Sequence, residues 1–234
     1  MELRDLHPWD VTPKEAVAIQ RELASRVVRR GTPRGVRRVV GVDISVDRLR
    51  GRATGAVVVL SYPDLAPVEC SVVETALEFP YVPGLLSFRE TPVLRESLRE
   101  IAGPIDLLLV DGHGYAHPRR LGIACHLGLL LDVPAIGIGK SRLVGEYEEP
   151  AAAAGSRTDL IDRGEAIGAA VRTRTGVKPV YVSVGHRISQ RAAEAWVLRC
   201  CRGYRLPEPV RLADQAAGGR PPAVPPSLRV DAVQ

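Results

Sequence analysis

Residues 105–110 read Ile-Asp-Leu-Leu-Leu-Val, and the run breaks at Asp111-Gly112. A short, nearly continuous apolar run closed by a turn signal is the profile of a strand buried on both faces, and such strands occur where helices cover both sides of a parallel sheet. Residues 134–140 read as a second buried strand. Between the two, over 119–131, lies a stretch that is apolar almost all round, as expected of a buried helix. Upstream, 37–46 alternates with period two, which puts Val40, Val42, Ile44 and Val46 on one face and Val39, Gly41, Asp43 and Ser45 on the other. Two more strand-like runs, 53–62 and 68–76, follow across the short breaks Arg48-Leu49-Arg50-Gly51 and Pro63-Asp64, which suit antiparallel hairpins. The order βββαβαβ predicts an α/β fold: a mixed sheet of a three-strand antiparallel meander plus parallel strands, with helices on both faces.

Thr12-Pro13-Lys14-Glu15 reads as a capping box with Pro at the first helical position, followed by an apolar stripe of Ala16, Ile19, Leu23 and Val27 that stops at Gly31 and Pro33. Residues 80–84 form a stiff Pro-rich loop, after which Ser87 and Glu90 can cap a helix whose Leu94, Leu98 and Ile101 share a face. Pro92 is tolerable only in the opening turns of that helix. Beyond Lys140 the signal weakens: 150–156 reads as a loop, 166–172 and 180–184 as strands, Ser189 to Cys201 as a helix and 210–217 as a last short helix. Residues 1–217 are expected to form a single domain, and the Pro/Gly-rich 218–234 to be disordered.

The 234 residues are 45% hydrophobic and 25% charged, which excludes collagen-like and wholly disordered classes. No apolar run approaches the ~20 residues of a membrane span. Glu2, Arg4, Asp5 and Asp10 stand where a signal peptide would be apolar, so a cytoplasmic protein with no membrane partner is expected. Net charge is +5, and the excess is local: ten Arg lie between Arg21 and Arg52 against Glu22, Asp43 and Asp47. Such a stripe suits phosphate binding. The four Cys (Cys70, Cys125, Cys200, Cys201) form no CxxC pair, so neither a zinc site nor a disulfide framework is indicated.

Asp43 sits mid-strand among Val, Gly and Ile, where a carboxylate facing a packed layer is costly unless it is paired or binds a metal. Asp111 ends a buried strand, and ligands of open α/β sheets gather at the carboxyl ends of parallel strands. If the two strands are neighbours, two carboxylates converge, and a hard divalent cation such as Mg2+ would offset their repulsion. The residues alone leave each Asp open between metal ligand and satisfied structural carboxylate. Glu90 is equally open between ligand and capping partner of Ser87. Three other patterns fall away. Gly137-Ile138-Gly139-Lys140-Ser141 lacks the leading Gly of a P-loop; His113 and His117 lie among Gly and Pro that oppose a zincin helix; and Cys125 and His126, adjacent on a helix, point apart.

The blocks Val39-Val40-Gly41-Val42-Asp43, Pro80-Tyr81-Val82-Pro83-Gly84-Leu85-Leu86-Ser87-Phe88-Arg89-Glu90, Val110-Asp111-Gly112-His113-Gly114 with His117-Pro118-Arg119, and Gly137-Ile138-Gly139-Lys140-Ser141 resemble, in order, endonuclease V, the deoxyinosine 3' endonuclease family. The similarity spans 13–217, and the Pro-Tyr-x-Pro-Gly-Leu-Leu-Ser-Phe-Arg-Glu block is highly specific. The resemblance implies an RNase H-like fold in which strands one and four lie side by side. It further implies a Mg2+-dependent repair endonuclease, with Mn2+ able to substitute, acting on inosine-containing DNA, with RNA as a second candidate. The family cuts the second phosphodiester bond 3' to the deaminated base and leaves 3'-hydroxyl and 5'-phosphate. By the same resemblance Asp43, Glu90 and Asp111 hold the metal, Asp214 matches a late position where family members carry Asp or His, Lys140 matches a Lys near the scissile phosphate, and His117 matches a His close to the nucleic acid. Asp214 reads otherwise as a solvated surface charge.

Pro80 and Pro83 stiffen the loop around Tyr81, whose ring can stack into the space left by an extruded base, a contact worth ~1–3 kcal/mol; a core aromatic is the alternative. Pro83, Gly84, Leu85, Gly112 and Gly122 are expected at the base pocket, where small residues let backbone approach the base edge. Arg89, Arg119 and Arg120 are expected to contact phosphates, and a monomer is expected. Two competing readings are another RNase H-like, resolvase-like nuclease and a non-catalytic nucleic-acid-binding module.

Overall fold

The computed structural model describes residues 3–224. Eight strands, β1 (Arg38–Asp47), β2 (Arg52–Ser61), β3 (Pro67–Ala76), β4 (Leu107–Asp111), β5 (Ala135–Gly139), β6 (Arg157–Asp162), β7 (Glu165–Val171) and β8 (Val180–His186), form one sheet ordered β3-β2-β1-β4-β5-β8-β7-β6. The meander β1-β2-β3 is antiparallel, β1, β4 and β5 run parallel, and β8, β7 and β6 return antiparallel. This is the expected RNase H-like mixed sheet, with β1 beside β4.

Five helices cover it: α1 (Pro13–Ala24), α2 (Leu86–Arg99), α3 (Ile123–Leu131), α4 (Gln190–Arg199) and α5 (Glu208–Ala217). The alternation of β1 sets the two layers. Val40 and Val42 pack with Leu94 and Leu98 of α2 and Leu127 of α3, whereas Val39 packs with Val197 of α4 and Val210 and Ala213 of α5. Leu108 and Val110 of β4 join the first layer, and Leu107 and Leu109 the second. That strand is therefore buried on both faces, as its composition requires.

The capping box at Thr12 forms, with Glu15 returning a carboxylate to the Thr12 amide at 2.7 Å. The helix ends at Ala24, short of Val27, because the Ser25 hydroxyl bonds the Glu22 carbonyl at 2.7 Å and competes with the helical ladder. Helix α2 departs from expectation at its start. Its N-cap is Leu85 without a side-chain bond, and Ser87 lies buried inside the first turn, so no capping box holds Glu90. Burial decides this boundary: Leu85 and Phe88 are drawn into a cluster with Phe79 and Ala16 of α1. Pro92 stands inside α2, beyond the opening turn.

Helix α3 begins at Ile123 rather than near 119, because Arg120 adopts a left-handed φ of 58°. Strand β6 was not anticipated. It is the sheet's edge, and Arg157, Asp159 and Asp162 dilute its apolar signal. Residues 218–224, the start of the segment expected to be disordered, form neither helix nor strand, and 221–224 line a cleft with Val68, Cys70, Val72 and Ile101. The remainder of that expectation, from 225 on, lies outside the described residues.

Candidate active site

Period two along three parallel neighbours assembles the site. Val39 and Gly41 precede Asp43 on one face of β1, Leu107 and Leu109 precede Asp111 on β4, and Ile136 and Ile138 precede Lys140 at the end of β5. The apolar members all belong to the layer under α4 and α5. Since Val42 lies opposite Val110, and Asp111 opposite Ile138, the polar residue of each strand emerges at the same end of the same face. Helix α5 adds Asp214, and Gly41 is what lets α5 lie so close: a Cβ there would be 1.9 Å from the Pro209 carbonyl oxygen. Gly41→Ala is therefore expected to push α5 outward, cost ~1–3 kcal/mol as overpacking does, and depress cleavage through Asp214. A thermal melt beside an activity assay checks this, and an unchanged midpoint would contradict it.

One carboxylate oxygen from each of Asp43, Asp111 and Asp214 lies within 4.8 Å of the others. The Lys140 ammonium sits among them, 2.5 Å from Asp214 Oδ1, 3.8 Å from Asp43 Oδ2 and in contact with Asp111 Oδ2. That Asp111 oxygen is buried, and its close partner is the Lys140 ammonium. Burial, and then the charge of Asp111, push the Asp43 carboxyl up to about 8, with Lys140 opposing. Burial likewise raises Asp111. For Lys140, burial opposes the charged form, but contact with Asp111 and Asp214 outweighs it and holds the ammonium more firmly protonated than usual. Three hard oxygen donors converging with one ammonium to offset their charge fit a carboxylate-bound divalent cation.

Glu90 approaches from the opposite layer, on the second turn of α2. It stands outside the three-carboxylate group, although burial, and to a smaller degree Asp111, push its carboxyl up to about 7 against the pull of Arg89. Without a capping role its charge is left to the site.

Tyr81 is 60% exposed, so it is not a core aromatic. Its loop is anchored by buried Phe79 and Leu85 on either side. At Gly84, where φ is 78°, the carbonyl accepts three donors: Gln20 Nε2 at 3.0 Å, His117 Nε2 at 3.1 Å and Arg119 Nη2 at 2.6 Å. His117 Nδ1 accepts the Arg119 amide at 3.2 Å, which leaves the proton on Nε2. Burial, and then Arg119, lower this imidazole to about 4, so it is a neutral prop beneath the loop.

The expected contact residues divide accordingly. Arg119 braces the loop, and Arg120 is tied to Asp162 at 2.8 Å and Glu165 at 2.9 Å, so both guanidiniums are engaged within the protein. Arg89 enters no ion pair among the described residues and lies beside Tyr81. The amide of Leu85 bonds Val82, that of Gly112 bonds Ile138, and that of Gly122 bonds Gly114. These residues form a satisfied frame around the loop. A Cβ at Gly122 would lie 2.2 Å from the His113 carbonyl oxygen, so the glycine serves close packing.

Gln20 was missed by sequence reasoning. Its signal is a polar residue on the apolar stripe of α1, between Ala16 and Leu23, and it is fully buried, bonding both Gly84 and Leu121. The N-terminal strap was missed as well: Arg4 pairs with Asp132 at 2.5 Å, and His7 meets buried His126 at 2.7 Å.

The sequence profile of the family described as Endonuclease V matches residues 21–215. Endonuclease V of Gloeobacter violaceus is 56% identical over 211 residues, covering 89% of this chain and 86% of that one. The crystal structure of Endonuclease V from Streptomyces avermitilis superposes with a TM-score of 0.86 at 42% identity, covering 94% of this chain and 97% of that one. Endonuclease V of Ciona intestinalis, solved in complex with a 24mer DNA containing an inosine followed by a ribo-adenosine, superposes with a TM-score of 0.77 at 28% identity, covering 88% and 96%. A carboxylate site built from mid-β1 and the carboxyl end of β4, an exposed aromatic on a braced loop, and likeness along nearly the whole chain lead to one assignment: this chain belongs to the endonuclease V family, and it is an endonuclease.

Proposed function

We propose that this protein is a Mg2+-dependent repair endonuclease that recognises inosine in DNA, with RNA as a second substrate, and hydrolyses the second phosphodiester bond on its 3' side, leaving 3'-hydroxyl and 5'-phosphate. The observation that carries the chemistry is the convergence of Asp43, Asp111 and Asp214 at one end of the parallel strands. Asp43 and Asp111, with Glu90 facing them across the sheet end, would hold the cation, and Asp214 adds a fourth carboxylate. Bound there, Mg2+ supplies Lewis acidity and a more acidic water. Lys140 contributes fixed positive charge where the phosphate gathers negative charge. Tyr81 fills the space of the extruded base, and the brace of Gln20, His117 and Arg119 keeps its loop from yielding. The Ciona complex with inosine-containing DNA supports the choice of base.

The alternatives, a resolvase-like nuclease and a silent binding module, lack support from the braced aromatic loop and the clustered carboxylates respectively. Among the described residues no helix is long and apolar enough to cross a membrane. An enzyme of nucleic acid belongs where its substrate is, in the cytoplasm, and a site completed by one chain needs no second copy. The test is to incubate oligonucleotides carrying inosine, uracil, an abasic site or a four-way junction with the protein and Mg2+, and to map the cut. Cleavage confined to inosine strands, one bond removed from the lesion, is expected; cleavage of the junction instead would overturn the reading.

A further inference from the structure

The arginines of the 21–52 stripe do not share one fate. Arg29, Arg38, Arg50 and Arg52 are tied to Glu165, Glu69, Asp47 and Glu74. Arg48 enters no ion pair among the described residues. Its guanidinium carbon lies 5.8 Å from the centre of the Tyr81 ring, and that of Arg89 lies 5.9 Å from it. Two unpaired forks thus lie beside the exposed ring. The turn that carries Arg48 is rigid, since Asp47 Oδ1 accepts the amides of Leu49 at 3.0 Å and Arg50 at 3.1 Å. It is also the direct continuation of β1, which carries Asp43, so the Arg48 backbone, whose side chain is exposed, is set at a fixed station relative to the carboxylates.

Val46, Arg48, Tyr81, Leu86, Arg89 and Glu90 line one cleft of about 280 Å³. That is below the roughly 300–1,000 Å³ that encloses a small-molecule ligand, and it joins the aromatic ring to Glu90 at the active site. Packing on the ring does not by itself account for Arg48. A cation–π contact at an exposed site is worth about 0.5–1 kcal/mol, and ~6 Å is its outer limit. An unpaired guanidinium in a narrow cleft beside a nuclease site is suited to a phosphate.

We infer that Arg48 is a phosphate-binding residue of this enzyme, gripping the nucleic-acid backbone together with Arg89 beside Tyr81. The β1–β2 hairpin then works as a second jaw, so that the aromatic ring enters a stack whose strand is held next to it. The inference rests on the nuclease reading above and adds to it a substrate contact outside the carboxylate site and the braced loop.

The test is the salt dependence of binding to an inosine oligonucleotide, single-stranded and duplex, with Ca2+ in place of Mg2+. Each phosphate contact adds ~0.7 to the slope of log affinity against log salt on a single strand and ~0.9 on duplex DNA. Arg48→Ala is expected to lower the slope by about one such contact, both in the wild-type background and in Tyr81→Ala, and Arg48→Lys to keep it. The loss should be equal for inosine and undamaged strands, because a phosphate contact carries no base information. Arg99→Ala, which removes a charge paired with Glu96 at the far end of α2, controls for net charge. An unchanged slope in Arg48→Ala overturns the inference. So does a drop that vanishes in the Tyr81→Ala background, which would make Arg48 only a support for the ring. Failure of the wild-type protein to prefer inosine would strike the functional reading instead, whatever the slope.

Discussion

Asp43→Asn is expected to lose about 10³-fold or more in cleavage while raising the thermal midpoint of the metal-free protein. The loss follows from the several kcal/mol that a bound cation contributes to a phosphoryl transition state, each tenfold being ~1.4 kcal/mol. The gain in stability follows from the same burial. The Asp43 carboxyl is pushed from 3.8 to about 8, so between those values the folded protein binds a proton that the unfolded chain has released. Its contribution to stability is full below the unfolded value and is lost as pH rises through the folded one. Above that window wild type carries a buried charge and Asn does not, so the difference in midpoint should open from about pH 4 to about pH 8 and then level off, with ~2–4 °C for each kcal/mol removed.

Saturating Mg2+ should restore wild type, by ~2.7 kcal/mol at a hundredfold excess over its dissociation constant, and leave the variant unmoved. Calorimetry in chelator and in Mg2+ reads both effects, and near-normal turnover by Asp43→Asn would sink the ligand assignment. Asp214→Ala should cost less, since its side chain is 42% exposed against 14% for Asp43.

Tyr81→Ala is expected to impair cleavage of inosine in a duplex more than in a single strand, by up to the ~1–3 kcal/mol of one aromatic stack, about 5- to 160-fold. A single strand has less stacking and pairing to undo, so the ring matters less there. The thermal midpoint should hold, because a ring 60% exposed leaves no cavity when truncated. A core aromatic would instead cost ~3–5 kcal/mol and depress both activities with the midpoint. The ratio of duplex to single-strand rates and the melting curve together decide it, and an unchanged ratio would rule out the wedge.

Local chemistry wrote much of this molecule directly. The period-two alternation of 37–46 set Asp43 on the face of Val39 and Gly41, and the apolar run ending at Asp111 fixed a parallel strand closing on a carboxylate. Strand β6 escaped because an edge strand with one solvated side needs few apolar residues. The Ser87–Glu90 capping box failed for the opposite reason, since the pattern was present but burial of Leu85 and Phe88 moved the helix start and freed Glu90.

The sequence by itself determined most of the strands and helices, the strand that carries Asp43 and the one that Asp111 ends among them, because alternation, caps and turns act over a few residues. Only the tertiary structure decided which polar groups are free for substrate and which are consumed. His117, Arg119 and Arg120 look wholly available in sequence, yet Gly84, Gln20, Asp162 and Glu165 pair with them from 33 to 99 residues away along the chain. Arg48 looks like one basic residue among ten, yet it is left unpaired beside Tyr81. A side chain's composition states what it can bind. The long-range packing of its neighbours decides how many of its donors are already engaged, since each pairing inside the fold leaves fewer to offer a phosphate.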